Sequence, residues 1–132
     1  MERKEIAVDY KMHGHNCCES VVKSFSDLIE LDEDEIRKIT SGFAIGMGCF
    51  TSTCGALIGA NIVLGLLNNT NLRTPTLSAK LLNRFKELSG DVTCRVLKGI
   101  ETGKVLCSCN DCVKNAVVAL EEILKEIGVI NA

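Results

Sequence analysis

The stretch from Cys54 to Asn68, CGALIGANIVLGLLN, is apolar almost all round. A helix without a polar face must be covered on every side, so the remaining chain has to wrap around it. Its apolar core, Ala56 to Leu67, is too short to span a bilayer and carries Asn61 in its middle, which makes it a buried core helix. Gly55, Gly59 and Ala60 leave a flat strip along it where another backbone can approach closely. Such a strip also suits a two-fold contact in a homodimer.

The flanking sequence supplies amphipathic helices to do the wrapping. One begins near Asn16, with Cys17, Val21, Phe25 and Leu28 on its stripe. Asp32 opens another, with Glu35 at capping-box spacing and Ile36, Ile39 and Phe43 as its apolar side. Gly42, Gly46 and Gly48 end it and form a turn. Thr74-Pro75 starts the next, whose stripe is Leu77, Leu81, Phe85 and Leu88 and whose stop is Gly90. A short turn of helix from Cys94 to Lys98 ends at Gly99, and Glu101 to Asn110 is irregular. The last helix runs from about Asp111 to Ile127, with Val113, Ala116, Val117, Leu120, Ile123, Leu124 and Ile127 inward and Gly128 as its cap. No alternating run points to a sheet. The expectation is one all-α domain over residues 1–132, a compact bundle of about five helices around a central glycine-containing apolar helix.

Charge excludes some functions. A formal net charge of -2 offers no basic field for nucleic acid or for an anionic membrane. The residues after Met1 lead into a mixed polar segment with no apolar leader core, which points to a cytoplasmic protein. In a reducing compartment the eight cysteines imply metal, redox chemistry or packing rather than disulfides.

Four cysteines directly follow a residue suited to cap a helix: Asn16-Cys17, Thr53-Cys54, Thr93-Cys94 and Asp111-Cys112. A cysteine just inside a helix start lies in the positive end of the dipole, which favours thiolate over thiol. Four such starts meeting at one point would make an electropositive, sulfur-lined pocket fit for an anionic cluster. The plainer alternative is packing, since free cysteine is among the most buried residue types. Cys107-Ser108-Cys109-Asn110-Asp111-Cys112 is the densest group, and its Cys109 to Cys112 half could chelate a metal or close a redox disulfide. Neither a zinc ribbon, a haem-attachment motif nor the ferredoxin run is present, so a site must be assembled from distant segments. His13 and His15 are either nitrogen ligands beside Cys17 or two solvent-exposed imidazoles. Cys18 points about a third of a turn away from Cys17, and Cys49 in the glycine turn is an extra ligand or a resolving thiol. GMGCFTSTCG lacks the lysine-serine ending of a phosphate loop. Its glycines permit positive φ angles and close approach of backbone N–H groups to buried sulfur.

These residues resemble the C_GCAxxG_C_C family of small redox-active proteins. Gly14-His15-Asn16-Cys17 matches the first cysteine, Cys54-Gly55-Ala56-Leu57-Ile58-Gly59 the central motif, Cys94-Arg95-Val96-Leu97-Lys98-Gly99 the third segment and Cys112-Val113 the fourth. The resemblance implies redox activity, and a similar domain beside an iron–sulfur centre in split-Soret-type cytochromes favours a cluster. Cys18, Cys49, Cys107 and Cys109 lie outside the four-cysteine pattern.

The leading expectation is a redox protein with an iron–sulfur cluster or similar thiolate-bound metal on Cys17, Cys54, Cys94 and Cys112. Gly55 sits at that site, and Cys107, Cys109 and Cys49 are alternative ligands. It would serve electron transfer to a partner protein, or redox sensing. The rival is thiol–disulfide or peroxide chemistry with Cys54 as nucleophile and Cys49 or Cys109 resolving. A structural zinc site and a metal-free helical domain with core cysteines complete the set.

Overall fold

The computed structural model describes residues 1–131. Seven α-helices are present among them: α1 (Arg3–Met12), α2 (Cys17–Lys23), α3 (Glu33–Thr40), α4 (Gly55–Leu67), α5 (Thr74–Ser89), α6 (Cys94–Lys98) and α7 (Cys109–Glu126). A 3-10 turn, Ser41–Phe43, follows α3. The described residues contain no β-strand, only an isolated antiparallel bridge between Thr53 and Thr93. The fold is therefore all-α, with more helices than the apolar stripes announce.

The helix that periodicity misses is α1. Only Ala7 of it is buried, so it has no stripe to detect. It docks instead through Arg3, whose guanidinium lies 4.5 Å from the centroid of the Phe25 ring and donates to the Ser24 carbonyl and to Asp27 at 2.6 Å each. Reciprocal hydrogen bonds between Glu2 and Glu5 start it.

Most other boundaries follow local chemistry. Asp32 and Glu35 form the capping box, their two bonds being 2.8 and 3.0 Å. Pro75 lies in the first turn of α5, and Gly90 and Gly99 end α5 and α6 in left-handed geometry. Helix α2 is shorter than its stripe. It stops at Lys23, where the Ser24 hydroxyl bonds back to the Val21 carbonyl at 2.6 Å, and Phe25 reaches the core from the turn that follows. Ile39, expected inward, is 45% exposed, because α3 buries only Ile36 and Thr40.

Phe25, Leu57, Leu64, Leu81, Phe85 and Leu120 belong to one hydrophobic cluster drawn from α2, α4, α5, α7 and the turn after α2. Helix α4 packs against α2, α5 and α7. The amide of Asn61 is satisfied there, donating to the Leu57 carbonyl and accepting from the Ser78 hydroxyl of α5. The glycine strip of α4 is filled by α2 from the same chain. A Cβ at Gly59 would sit 2.6 Å from the Cys18 carbonyl oxygen, and one at Gly55 would sit 2.7 Å from the Phe43 carbonyl oxygen. Gly59 thus brings α2, with Cys17 at its start, hard against α4, and Gly55 admits the 3-10 turn that follows α3. Among the described residues no helix is long and apolar enough to cross a membrane.

Candidate functional site

Of the four thiols expected at helix starts, Cys17 and Cys94 hold the first helical position, Cys54 is itself a cap, and Cys112 lies one turn inside its helix. Asn16 accepts the Glu19 N–H at 2.8 Å and places Cys17 at the first position of α2. Cys54, not Thr53, is the N-cap of α4. Thr53 pairs with Thr93 instead: the Cys54 N–H donates to the Val92 carbonyl (2.7 Å) and the Cys94 N–H to the Ser52 carbonyl (3.0 Å). These two bonds stitch the starts of α4 and α6 side by side. Cys94 opens α6, where the Thr93 side chain makes no cap bond. The Asp91 carboxylate takes the Val92 and Thr93 N–H groups just before it.

The start of α7 differs most from expectation. Ser108, not Asp111, is the cap, and its hydroxyl accepts the Asp111 N–H at 3.1 Å. Cys109 thereby takes the first helical position, and Cys112 falls one turn later on the same face. A Ser-x-x-Asp signal at Ser108–Asp111 is present in the sequence and marks this start.

These four starts surround one cavity of about 320 Å³, lined among others by Cys17, Cys54, Cys94, Cys109, His15 and Lys98. Gly55 also faces it, as does Gly46 of the glycine turn. Gly46 has φ +58, and a Cβ there would come within 2.7 Å of the Cys94 Cβ, so only glycine lets the turn close over Cys94. Ile45, Met47 and Phe50 of the same turn also have positive φ, at 48°, 60° and 64°. Ile45 is β-branched, so this turn stores strain beside the cavity.

Cys112 is not on the cavity wall. It is fully buried behind it, accepting from Lys98 Nζ at 3.6 Å and sharing its one S–H between the Cys54 sulfur and the Cys107 carbonyl 3.7 Å away. Cys107 is buried and accepts from Asn115 Nδ2 at 3.7 Å. Cys18 is buried on the other side of α2, against the α4 glycines. Cys49 lies exposed on the glycine turn, 2.8 Å from the Thr51 hydroxyl, which lowers its pKa. His13 is exposed, whereas His15 reaches the cavity.

The thiols are arranged as two hydrogen-bonded pairs, and in each the thiolate is the better-solvated or better-donated member. Cys54 is pulled down to about 6 by the hydrogen bond from Cys112, by the N–H groups of Ala56 and Leu57 and by Lys98, against the opposing effect of burial. Cys109 is pulled down to about 5 by the hydrogen bond from Cys17 and by the ammonium groups of Lys98 and Lys11. Cys17 and Cys112 move up, because each keeps its proton to donate to its partner and each is buried. Burial also raises Cys94, and it pushes Cys18 up to about 12. Burial alone would lower Lys98, yet the neighbouring cysteines Cys112, Cys109 and Cys54 raise it on balance. Lys98 is therefore a standing positive charge inside a sulfur pocket. Sequence reasoning overlooked it, although its spacing of four from Cys94 puts both on one helix face.

Fold and cavity together define a small helical thiol protein whose cysteines are gathered from four helix starts. The chain belongs to the C_GCAxxG_C_C family: the family model, described as "Putative redox-active protein (C_GCAxxG_C_C)", matches residues 15–123. No curated protein and no solved structure matches the chain.

Proposed function

We propose that the cavity holds an iron–sulfur cluster and that the protein uses it to carry an electron to a partner protein or to report redox state. The observation that carries this reading is the gathering of Cys17, Cys54, Cys94 and Cys109 around one cavity, with Cys112 directly behind. The donor set fits: soft thiolates favour iron–sulfur centres and zinc over hard cations. Among the described residues no three Cys, His, Asp or Glu side chains converge closely enough to hold a single ion. Sulfurs spread around a cavity suit a polynuclear centre better than a lone tetrahedral zinc. When bound, such a cluster supplies one-electron storage. The chain supplies helix starts, the Ala56 and Leu57 N–H groups and Lys98, all of which stabilise negative charge on sulfur.

Cys17, Cys54 and Cys94 are the ligands in this reading, and the fourth comes from the Cys109–Cys112 pair. Anaerobic purification should yield a brown protein with stoichiometric iron and sulfide. Cys17→Ser, Cys54→Ser or Cys94→Ser should each lower iron content several-fold. Cys112→Ser should do so and Cys109→Ser should not if Cys112 turns to the cavity on loading, and the reverse if Cys109 is the ligand. Protein that stays colourless and iron-free after anaerobic reconstitution would overturn the proposal, and zinc without sulfide would replace it with a structural site.

The two thiol pairs favour a second reading, thiol–disulfide exchange. The Cys109 thiolate would attack an incoming disulfide and release one thiol. Cys17 would then displace the second, leaving a Cys17–Cys109 disulfide and two substrate thiols, one proton coming from Cys17 and the other from water. The geometry changes the assignments expected for this chemistry, since Cys54 contacts Cys112 whereas Cys49 stands on the exposed turn. In Cys17→Ser protein a small-molecule disulfide should then leave a stable adduct on Cys109, visible by peptide mass. Absence of an adduct at neutral pH rejects this reading.

A further inference from the structure

Glu19 is only 5% exposed although it lies two residues after Cys17. A buried carboxylate is costly unless a positive or donor group meets it. The side chain that meets its carboxylate among the described residues is His15, whose Nδ1 lies 3.0 Å from Glu19 Oε2 across one turn. The imidazole is held a second time, edge-on against Tyr10, with ring centroids 5.4 Å apart and planes at 86°. The far side of that arrangement is anchored too: the Lys23 ammonium lies 5.0 Å from the centroid of the Tyr10 ring. His15 is thus a half-buried imidazole on the wall of the thiol cavity, with a carboxylate oxygen beside its Nδ1.

A carboxylate on one ring nitrogen is the usual support of a metal-binding histidine, because it fixes the tautomer and leaves the other nitrogen as a lone-pair donor. We propose that His15 is a nitrogen ligand through Nε2 to the metal centre of this cavity, making the donor set mixed rather than all-thiolate, with Glu19 as its positioning residue. This rests on the cluster reading above. A nitrogen ligand in place of a thiolate leaves the centre less negative, so it raises the reduction potential. His13, exposed and outside the cavity, has no such role.

The test uses full-length protein reconstituted anaerobically with ferrous iron and sulfide, with [15N]histidine incorporated in a His13→Gln background so that His15 is the single labelled imidazole. Pulsed EPR of the reduced centre should show strong nitrogen coupling that changes from the 14N to the 15N pattern on labelling. His15→Gln should abolish it and lower the potential, and Glu19→Gln should retain iron while altering the coupling. Iron-edge X-ray absorption extends the test to an EPR-silent centre. A loaded protein with an all-sulfur first shell and no nitrogen coupling overturns the proposal and leaves the cluster reading standing. A protein that takes up no iron overturns both.

Discussion

Gly59→Ala is expected to destabilise the protein by about 1–3 kcal/mol, the range for forcing an extra methyl group into a filled space. In an unconstrained helix the same change would stabilise it, since alanine is the better helix former by roughly 1 kcal/mol. The sign reverses because the added carbon would lie 2.6 Å from the Cys18 carbonyl oxygen and 3.2 Å from both the Cys18 Cα and the Val21 Cβ. Two of those three atoms belong to the backbone and cannot rotate away, so α2 as a whole must withdraw from α4. Cys17 precedes Cys18, and its thiol would withdraw from the cavity with it. Gly59→Ala should therefore also lower iron uptake on reconstitution. Gly65→Ala, on the same helix with nothing within 4 Å of the new carbon, is the control. It should gain about 0.4–1 kcal/mol and leave iron uptake unchanged. Denaturant midpoints and iron content of the two variants settle the matter. Equal stability would mean that α2 and α4 are not in backbone contact.

Local capping chemistry made much of this architecture readable, and its failures have physical causes. Asn16, the Asp32–Glu35 pair, Pro75, Gly90 and Gly99 act where they stand, through bonds to their own neighbours or through φ alone. At the start of α7 two caps compete, and Asp111 is as good a residue for the role as Ser108. The choice of Ser108 moves the helix start by one turn and brings Cys109, not Cys112, to the cavity wall. A periodic stripe could not decide this, because both thiols share a face. Helix α1 escaped notice because it fully buries only Ala7 and is anchored by Arg3 rather than marked by an apolar stripe. The strip of small residues on α4 was legible as a close-approach surface, but nothing local says whose backbone approaches; α2 does. The position of Lys98 among Cys54, Cys109 and Cys112 is a tertiary fact of the same kind, invisible until separate helix ends are brought together. The His15–Glu19 pair is local, and only its place on the cavity wall is tertiary.

Lys98→Met should raise the pKa of Cys109 by about 1–3 units, the range for removing an opposite charge at contact distance. In the metal-free protein the Cys109 thiol is lowered to about 5, with Lys98 contributing both charge and a hydrogen bond. Its alkylation rate should accordingly be flat across neutral pH and fall only as the solution is acidified toward that value. In the variant the fall should begin at higher pH. Cys17→Ala removes the larger contribution, the thiol hydrogen bond, and should raise Cys109 as well while leaving Cys54 in place with its Cys112 partner. Lys98→Met should move both thiolates, since the ammonium acts on each. The sign for stability follows from the same shift. A thiol whose folded pKa lies below its unfolded value of about 8.5 stabilises the fold above that value and loses the contribution as pH falls through the folded pKa. The partners Cys17 and Cys112 run the other way, their raised pKa values disfavouring the fold once the pH exceeds the unfolded value. Metal-free stability should therefore climb from the Cys109 pKa to a maximum near the ordinary thiol value and decline above it. Lys98→Met should narrow that window from its acid side, so an acid limb that did not move would remove Lys98 from the set of groups that charge the pocket.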